Sequence, residues 1–72
     1  MPHVADYHRI AADLRALIAS GTLRPGDRLP SISQLKRQYG VSATPVKNAL
    51  LVLHTEGLTE GRQGRGVFVA DR

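Results

Sequence analysis

The sequence predicts an α+β domain in which three helices are followed by a two-stranded β-hairpin. Apolar residues recur at helical spacing in three segments, at about 7–20, 32–39 and 43–56. A glycine follows each segment, at the place that suits a helix C-terminus. Beyond residue 57 the period changes, and two short β-type runs flank a glycine-rich stretch. We therefore expect one domain over residues 1–72, with the hairpin at about 58–70.

Length, charge and composition restrict the function classes. A chain of 72 residues buries only about 60% of its unfolded surface, which leaves little room for an enclosed active site. The formal charge of +4 favours a polyanionic partner. No apolar run approaches the ~20 residues that cross a bilayer, and the N-terminus lacks the apolar core of a signal peptide. The chain has no cysteine for disulfides or thiolate metal sites, so we expect a soluble cytoplasmic protein without a membrane partner.

The first helix is predicted to begin near Tyr7, after loosely ordered residues 1–5 and with Asp6 as its cap. Its apolar face follows the i, i+4, i+7, i+8 pattern through Ile10, Leu14, Leu17 and Ile18. Gly21 ends this helix, which we interpret as the scaffold under the next two.

The segment 22–30 is rich in turn formers, with Pro25-Gly26 at its centre. Leu23 and Leu29 lie on either side of that turn, so we expect both in the core. Arg28-Leu29 is predicted to form a short strand.

The stretch 29–58 predicts two helices joined by a tight turn. Ser31 is placed to cap the first of them, and Gln34 three residues on completes a capping box. Gly40 supplies the left-handed geometry that ends it.

The second helix of the pair follows at once. Ser42 is placed as its N-cap, and Pro45 falls in the first turn, where no intrahelical N–H donor is required. The apolar positions Val46, Ala49, Leu50 and Leu53 then continue to Gly57. Helix, glycine turn, helix is the helix-turn-helix arrangement, whose second helix enters the DNA major groove.

The charges in this stretch have one sign. No acidic residue occurs between Asp27 and Glu56, while four residues there are basic: Arg28, Lys36, Arg37 and Lys47. This pattern is typical of a surface that approaches phosphates. The alternative is a solvated surface that lacks acids by chance.

The hairpin predicts a wing. The runs 58–60 and 67–69 are separated by Gly-Arg-Gln-Gly-Arg-Gly, whose glycines suit a hairpin tip. The tip at 62–66 projects two guanidinium groups with no carboxylate between them. A hairpin after a helix-turn-helix makes the predicted fold a winged helix-turn-helix.

The sequence resembles the N-terminal DNA-binding domain of the GntR family, most closely its HutC-like and YtrA-like branches. The residues that carry the resemblance run through nearly the whole chain: Tyr7, Ile10-Ala11, Leu14-Arg15, Ile18, Gly21, Leu23, Pro25-Gly26, Leu29-Pro30-Ser31, Leu35, Gly40-Val41-Ser42, Val46, Ala49-Leu50, Leu53, Glu56-Gly57-Leu58, Gly64, Gly66 and Phe68-Val69. The resemblance implies a transcription regulator that binds a pseudo-palindromic operator in double-stranded DNA as a homodimer.

Members of that family usually carry a C-terminal domain that binds a small molecule and supports dimerisation. Nothing in residues 1–72 corresponds to it. We expect an excised N-terminal domain, with a stand-alone module as the alternative.

Several positions depart from the family pattern. The family commonly has Glu-Arg after Pro-Ser, with that arginine contacting DNA, where this chain has Ile32 and Ser33. The family's arginine after the Val-Ser turn is Ala43, a threonine is Pro45, and the arginine of the second helix is Lys47. A lysine keeps the charge but lacks the fork that reads guanine, so we expect weaker or altered sequence preference.

The predicted DNA-binding residues lie on the helix-turn-helix and the wing. On the helix-turn-helix they are Ser31, Ser33, Lys36, Ser42, Ala43, Thr44, Pro45, Lys47 and Asn48, and on the wing they are Arg62, Gln63, Gly64, Arg65 and Gly66. An asparagine pairs with adenine and a threonine contacts a thymine methyl or a phosphate. The alternative for these side chains is an ordinary solvent-exposed surface, and for the wing a mobile hairpin.

Other functions find less support in the sequence. His3, His8 and His54 lack the spacing of a metal site, and the acidic residues are too scattered for catalysis. The wing glycines precede no helix, so they form no nucleotide-binding loop. We expect no enzyme activity, cofactor or metal. The competing class is a protein-interaction module that uses the surface of Tyr39, Leu51 and Val52.

Overall fold

The structure, a computed structural model, describes residues 2–71 and the side chains of residues 6–71. Three helices are followed by two strands: α1 (Pro2–Ala19), α2 (Ile32–Tyr39), α3 (Ala43–Thr55), β1 (Thr59–Arg62) and β2 (Gly66–Val69). This order and the antiparallel β1–β2 pairing confirm the predicted winged helix-turn-helix fold.

Helix α1 begins earlier than predicted. The prediction of loosely ordered residues 1–5 and a cap at Asp6 was wrong over residues 2–6, because α1 begins at Pro2. Proline suits the first position of a helix, where its missing N–H needs no partner. No glycine or second proline follows before Tyr7 to stop the helix. Met1 lies outside the described residues.

The hydrophobic core lies between α1 and α3, and α2 and the wing cover its sides. Its buried members are Ile10, Ala11 and Leu14 of α1, Val46, Ala49, Leu50 and Leu53 of α3, and Leu29, Leu35 and Val69. Leu17 was predicted on the apolar face but is 37% exposed. The small Ala11 is buried instead, which lets α1 and α3 approach closely.

The predicted capping of α2 is confirmed. The Ser31 hydroxyl accepts a hydrogen bond of 3.1 Å from the Gln34 N–H, and the Ser31 N–H donates to the Gln34 side-chain oxygen at 2.8 Å. At the other end Gly40 adopts φ 66°, and its N–H donates to the Lys36 carbonyl. A residue with a Cβ is strained at that φ, so glycine is required for the tight turn.

Ser42 stands at the N-cap of α3 with an extended backbone, but its side chain makes no capping hydrogen bond. The predicted N-cap position of Ser42 is confirmed, but this cap lacks the side-chain bond that Ser31 makes. An N-cap hydroxyl usually accepts from the N–H two or three residues on, and the third residue here is Pro45, which has no N–H.

Three side-chain contacts tie α1 to the helix-turn-helix. Arg15 donates two hydrogen bonds, of 2.9 and 2.8 Å, to the Glu56 carboxylate just after α3. The Tyr39 hydroxyl at the end of α2 donates to the Asp13 carboxylate at 2.7 Å. The Arg9 guanidinium lies 5.3 Å from the centre of the Tyr39 ring. These contacts fix how α2 and α3 sit on α1.

The wing strands extend further toward the tip than predicted. Thr59 pairs with Val69 at one end of the hairpin, and Arg62 pairs with Gly66 at the other. The loop is therefore only residues 63–65. The Arg65 N–H donates to the Arg62 carbonyl at 2.9 Å, and the turn includes Gly64 at φ 74°.

A third segment attaches to the outer edge of β2. Arg28 forms an isolated antiparallel bridge with Phe68. The Leu29 N–H donates to the Val67 carbonyl at 2.8 Å, and two further backbone hydrogen bonds join residues 26 and 27 to Val69. The predicted strand at Arg28-Leu29 is thus one bridge long, and it connects the wing to the loop before α2.

Candidate nucleic-acid interface

Helix α3 turns a polar face to solvent. Thr44, Lys47 and Asn48 are all exposed and lie at i, i+3 and i+4, on the side of the helix away from Val46. Within the described residues, no side-chain hydrogen bond or ion pair engages these three side chains. The first two turns of α3 therefore present uncommitted polar groups of the kind that reach base edges in a major groove.

The other predicted residues at the start of α3, Ser42, Ala43 and Pro45, differ in how far they are exposed. Ser42 is exposed with its hydroxyl uncommitted, and Ala43 is half-buried. Pro45 is less than 2% exposed, so its side chain offers no surface to DNA. The burial of this ring in the core does not support the predicted DNA contact of Pro45.

Helix α2 contributes a second polar edge. Ser33 and Lys36 are exposed, and they line a shallow depression with Arg37 and the Gly40-Val41 turn. Ser31 is half-buried, and its hydroxyl is occupied by the capping bond. The edge carries two positive charges and no carboxylate, as the sequence predicts.

The two arginines of the wing have different surroundings. Arg62 donates hydrogen bonds of 3.3 and 3.1 Å to the Glu60 carboxylate and lies 4.7 Å from the centre of the Phe68 ring. Side chains two residues apart on a strand point to the same face, which brings this acid to the arginine. No carboxylate lies between the two arginines, as the sequence shows, but Glu60, which precedes them, pairs with Arg62.

The tip itself remains open. Gln63, Gly64, Arg65 and Gly66 are exposed, and within the described part of the chain no carboxylate lies within ion-pair distance of Arg65. The free charge of the wing is therefore concentrated at Arg65.

Two shallow grooves connect the wing to the helices. One, of about 200 Å³, is lined by Arg28, residues 29–33, Leu50 and the start of β2 at Gly66-Val67. The other runs between α3 and the wing, and Lys47 and Gly61 lie on its two sides. Of the predicted residues, Ser31, Ser33 and Gly66 thus line the first groove, and Lys47 lines the second. The sequence predicted Arg28 only as one cation of the basic stretch and not among the DNA-binding residues, although a cation directly before Leu-Pro-Ser was a usable signal.

The histidines do not assemble a metal site in the described residues. His8 stacks on Tyr7, with ring centres 4.4 Å apart, and Nδ1 of His54 lies 3.3 Å from the Thr59 carbonyl oxygen. No group of three His, Cys, Asp or Glu side chains with metal-binding geometry occurs there.

Over the same residues, no helix has the length and apolar character to cross a membrane.

The sequence profile of the bacterial regulatory proteins of the gntR family matches residues 6–69, which is most of the chain. The chain belongs to the GntR family. The predicted family is therefore confirmed.

Among GntR-family relatives, the mannosyl-D-glycerate transport/metabolism system repressor MngR of Escherichia coli is 41% identical over 71 residues. That match covers 99% of this chain and 30% of the repressor, so the chain spans less than a third of the relative's length.

Solved GntR-type structures agree with the fold. The DNA-binding domain of AraR, in a crystal structure with an operator, has a TM-score of 0.87 at 31% identity over 90% of this chain and 78% of that one. YtrA from Sulfolobus acidocaldarius has a TM-score of 0.82 at 39% identity over 92% and 69% of the two chains.

Proposed function

We propose that this GntR-family chain binds operator DNA sequence-specifically, as the DNA-binding domain of a bacterial transcription regulator. Helix α3 enters the major groove, and the wing at 62–66 contacts the adjacent backbone or minor groove. The likeness to the AraR domain solved with an operator supports this assignment at a TM-score of 0.87.

The observation that carries the proposal is the uncommitted polar face of α3. Lys47 lies at its centre, exposed and without a carboxylate partner among the described residues. Arg65 on the wing and Lys36 on α2 add positive charge on either side. Cations without acidic neighbours attract the phosphate backbone, while the start of α3 is left to read bases.

Base reading in this proposal falls to Asn48 and Thr44. Asparagine forms two hydrogen bonds with adenine, and a threonine methyl contacts the methyl of thymine. Lys47 contacts guanine or a phosphate as a point charge, without the planar fork of arginine. Sequence preference then differs from that of relatives with arginine at this position.

We propose a homodimer on a pseudo-palindromic operator, with dimerisation aided by a C-terminal effector domain of the full regulator. A single domain of this size contacts few phosphates, so its binding is weak until two domains engage two half-sites. The proposed location is the cytoplasm, in association with the nucleoid, and the proposed role involves no catalysis.

The competing function as a protein-interaction module has less support. Of its three predicted contact residues, Tyr39 is half-buried and bonded to Asp13, and Val52 is half-buried. Leu51 is 61% exposed. A single exposed leucine is ordinary on a protein surface and does not form an interaction patch.

Duplex affinity measured against salt tests the proposal. A mixed-sequence duplex is titrated at several salt concentrations with the natural chain, Lys47→Ala, Arg65→Ala and the control Arg24→Ala. Each loss of a phosphate contact is expected to reduce the slope of log K against log salt by about 1. The control removes the same charge from the loop between α1 and α2 and should keep the natural slope. Slopes for the Lys47 and Arg65 variants equal to that of the control would refute the proposed DNA surface.

A backbone-amide NMR titration locates the surface directly. Shifts confined to residues 31, 42–48 and 62–66 at about 50 mM salt, fading at about 200 mM, are expected of a phosphate-dominated interface. Duplexes that the chain binds can then be selected from a random-sequence pool to find the operator.

A further inference from the structure

The side chain of Arg28 lies directly over Gly66 at the base of the wing. A Cβ atom built on Gly66 would stand 2.9 Å from Nε of Arg28 and 3.4 Å from one of its terminal nitrogens. Real Cβ contacts are not that short, so any other residue at 66 displaces the guanidinium. Gly66 also has φ 111°, a conformation that residues with a Cβ rarely adopt. The position of this guanidinium thus depends on a glycine in the wing.

The backbone on both sides of Arg28 is held by the wing. Arg28 bridges Phe68, and the next residue, Leu29, donates its N–H to the Val67 carbonyl at 2.8 Å. The base of the Arg28 side chain is therefore fixed relative to β2. Only the outer part of the side chain remains to be ordered, and Gly66 provides the space for it.

The charge of Arg28 is not neutralised within the described residues. Its side chain is exposed, and neither an ion pair nor a side-chain hydrogen bond engages it there. The two acids nearest to it along the bridged strands are committed elsewhere. Asp27 accepts from the Arg24 N–H at 2.8 Å, and Glu60 binds Arg62. Arg28 is therefore a positioned cation with its hydrogen-bond donors available.

The groove beside Arg28 joins two parts of the proposed DNA surface. Its lining includes Ser31 and Ser33 at the start of α2 on one side, and Gly66 of the wing on the other. The Ser33 hydroxyl is exposed and makes no hydrogen bond among the described residues. An exposed guanidinium at the edge of such a groove suits an anionic oxygen, since arginine donates paired hydrogen bonds to phosphate.

We infer that Arg28 contacts a backbone phosphate of the bound duplex. This phosphate belongs to the DNA strand that passes between the start of α2 and the wing. This inference rests on the proposed DNA-binding function and adds a contact from the loop before α2. Arg28 carries no base preference in this role, because phosphate contacts position the protein without reading sequence. Its backbone is bridged to β2 and its guanidinium lies over Gly66, so the contact comes from a side chain that is placed against the wing.

The test compares Arg28→Gln with Arg24→Gln, which removes the same charge four residues earlier in the loop. Arg28→Gln is expected to weaken duplex binding about tenfold, the effect of one lost charge-assisted hydrogen bond, and to lower the salt slope by about 1. Arg24→Gln should leave both unchanged, and Arg28→Lys should retain most of the slope. If the two glutamine variants have equal affinities and salt slopes while Lys47→Ala still weakens duplex binding, this inference is overturned and the proposed function stands. Absence of duplex binding by the natural chain would overturn the proposed function and this inference together.

Amide spectra of the free variants separate a contact from a purely structural role. Arg28→Gln should leave the amide resonances of α3 and the wing tip in place without DNA, because the backbone bridge to Phe68 does not use the side chain. Displaced wing resonances combined with an unchanged salt slope would show that Arg28 only positions the wing, and would overturn the inference.

Gly66→Ala supplies a second, independent test. The added Cβ displaces the Arg28 guanidinium, so part of the affinity lost in Gly66→Ala should be the same part that is lost in Arg28→Gln. The double variant should therefore bind DNA more tightly than the product of the two single losses predicts. Fully multiplicative effects would mean that the placement of Arg28 over Gly66 has no part in binding.

Discussion

Replacing Tyr39 by phenylalanine tests how firmly α2 is tied to α1. The half-buried Tyr39 donates its hydroxyl hydrogen to Asp13 at 2.7 Å, and Arg9 lies over its ring. Burial, and then the hydrogen bond to Asp13, raise the pKa of Tyr39 from 10.0 to about 12. The folded chain therefore favours the neutral phenol over the phenolate.

The magnitude follows from these numbers. A rise in pKa from 10.0 to about 12 corresponds to about 2.7 kcal/mol of preference for the neutral form. Much of that is the cost of burying a phenolate, which phenylalanine does not incur. What Tyr39→Phe loses is one hydrogen bond to a carboxylate, and Asp13 is exposed enough to regain water. We expect the free energy of unfolding at neutral pH to fall by about 1 kcal/mol.

The pH dependence has a definite sign. Because the pKa of Tyr39 is higher in the folded chain than in the unfolded one, its contribution to stability is complete below pH 10.0 and is lost as the pH rises through about 12. The stability difference between the natural chain and Tyr39→Phe should therefore shrink across that interval and then change sign, because a loss of up to about 2.7 kcal/mol exceeds the difference of about 1 kcal/mol at neutral pH.

Urea denaturation at neutral pH and at several pH values above 10 measures both effects. Tyr7→Phe is the matched control, since Tyr7 is also half-buried but its hydroxyl makes no hydrogen bond among the described residues. Equal losses of stability for the two phenylalanine variants, or a difference that stays constant with pH, would refute the assigned role of the Tyr39–Asp13 bond.

Two further predictions concern the helix ends, and urea denaturation with circular dichroism checks each. Ser31→Ala should lower the free energy of unfolding by about 1 kcal/mol because it removes the capping bond to Gln34, whereas Ser42→Ala should have almost no effect because its hydroxyl makes no such bond. Similar losses at the two serines would contradict the difference between the two caps. Gly40→Ala should cost about 1–2 kcal/mol, since alanine must adopt φ 66°. Unchanged stability of that variant would mean that the turn does not need a left-handed residue.

The parts of the fold that sequence reasoning predicted well depend on local signals. The limits of α2 at Ile32 and Tyr39 follow from Ser31, Gln34 and Gly40, whose side chains or backbone geometry act within one turn of the helix. The end of α3 followed from Gly57, whose N–H donates to a carbonyl three residues back. In these cases a few neighbouring residues determine the structure, so their pattern can be read directly.

The parts that sequence reasoning missed depend on partners that are distant in the chain or on a second effect at one residue. The pairing of Arg62 with Glu60 required knowing that β1 continues past Glu60 and that Phe68 lies across the hairpin. Pro45 was read as tolerated in the first turn, but its burial follows from three-dimensional packing, and its missing N–H has a second effect, on the Ser42 cap. Arg28 was predicted only as one cation of the basic stretch, because Gly66, which accommodates its side chain, is far away in sequence.

The bridge between Arg28 and Phe68 also bears on the order of events during synthesis of the chain. Helices α1, α2 and α3 contain their own backbone hydrogen bonds, so each can begin to form as it leaves the ribosome. The loop before α2 has no backbone partner until β2 has been made, about forty residues later. The connection that sets the direction of α2 is therefore completed after α2 itself. In a nascent chain the helix-turn-helix can therefore pack on α1 first, through the Tyr39–Asp13 and Arg15–Glu56 contacts, and the last strand then fixes the loop before α2.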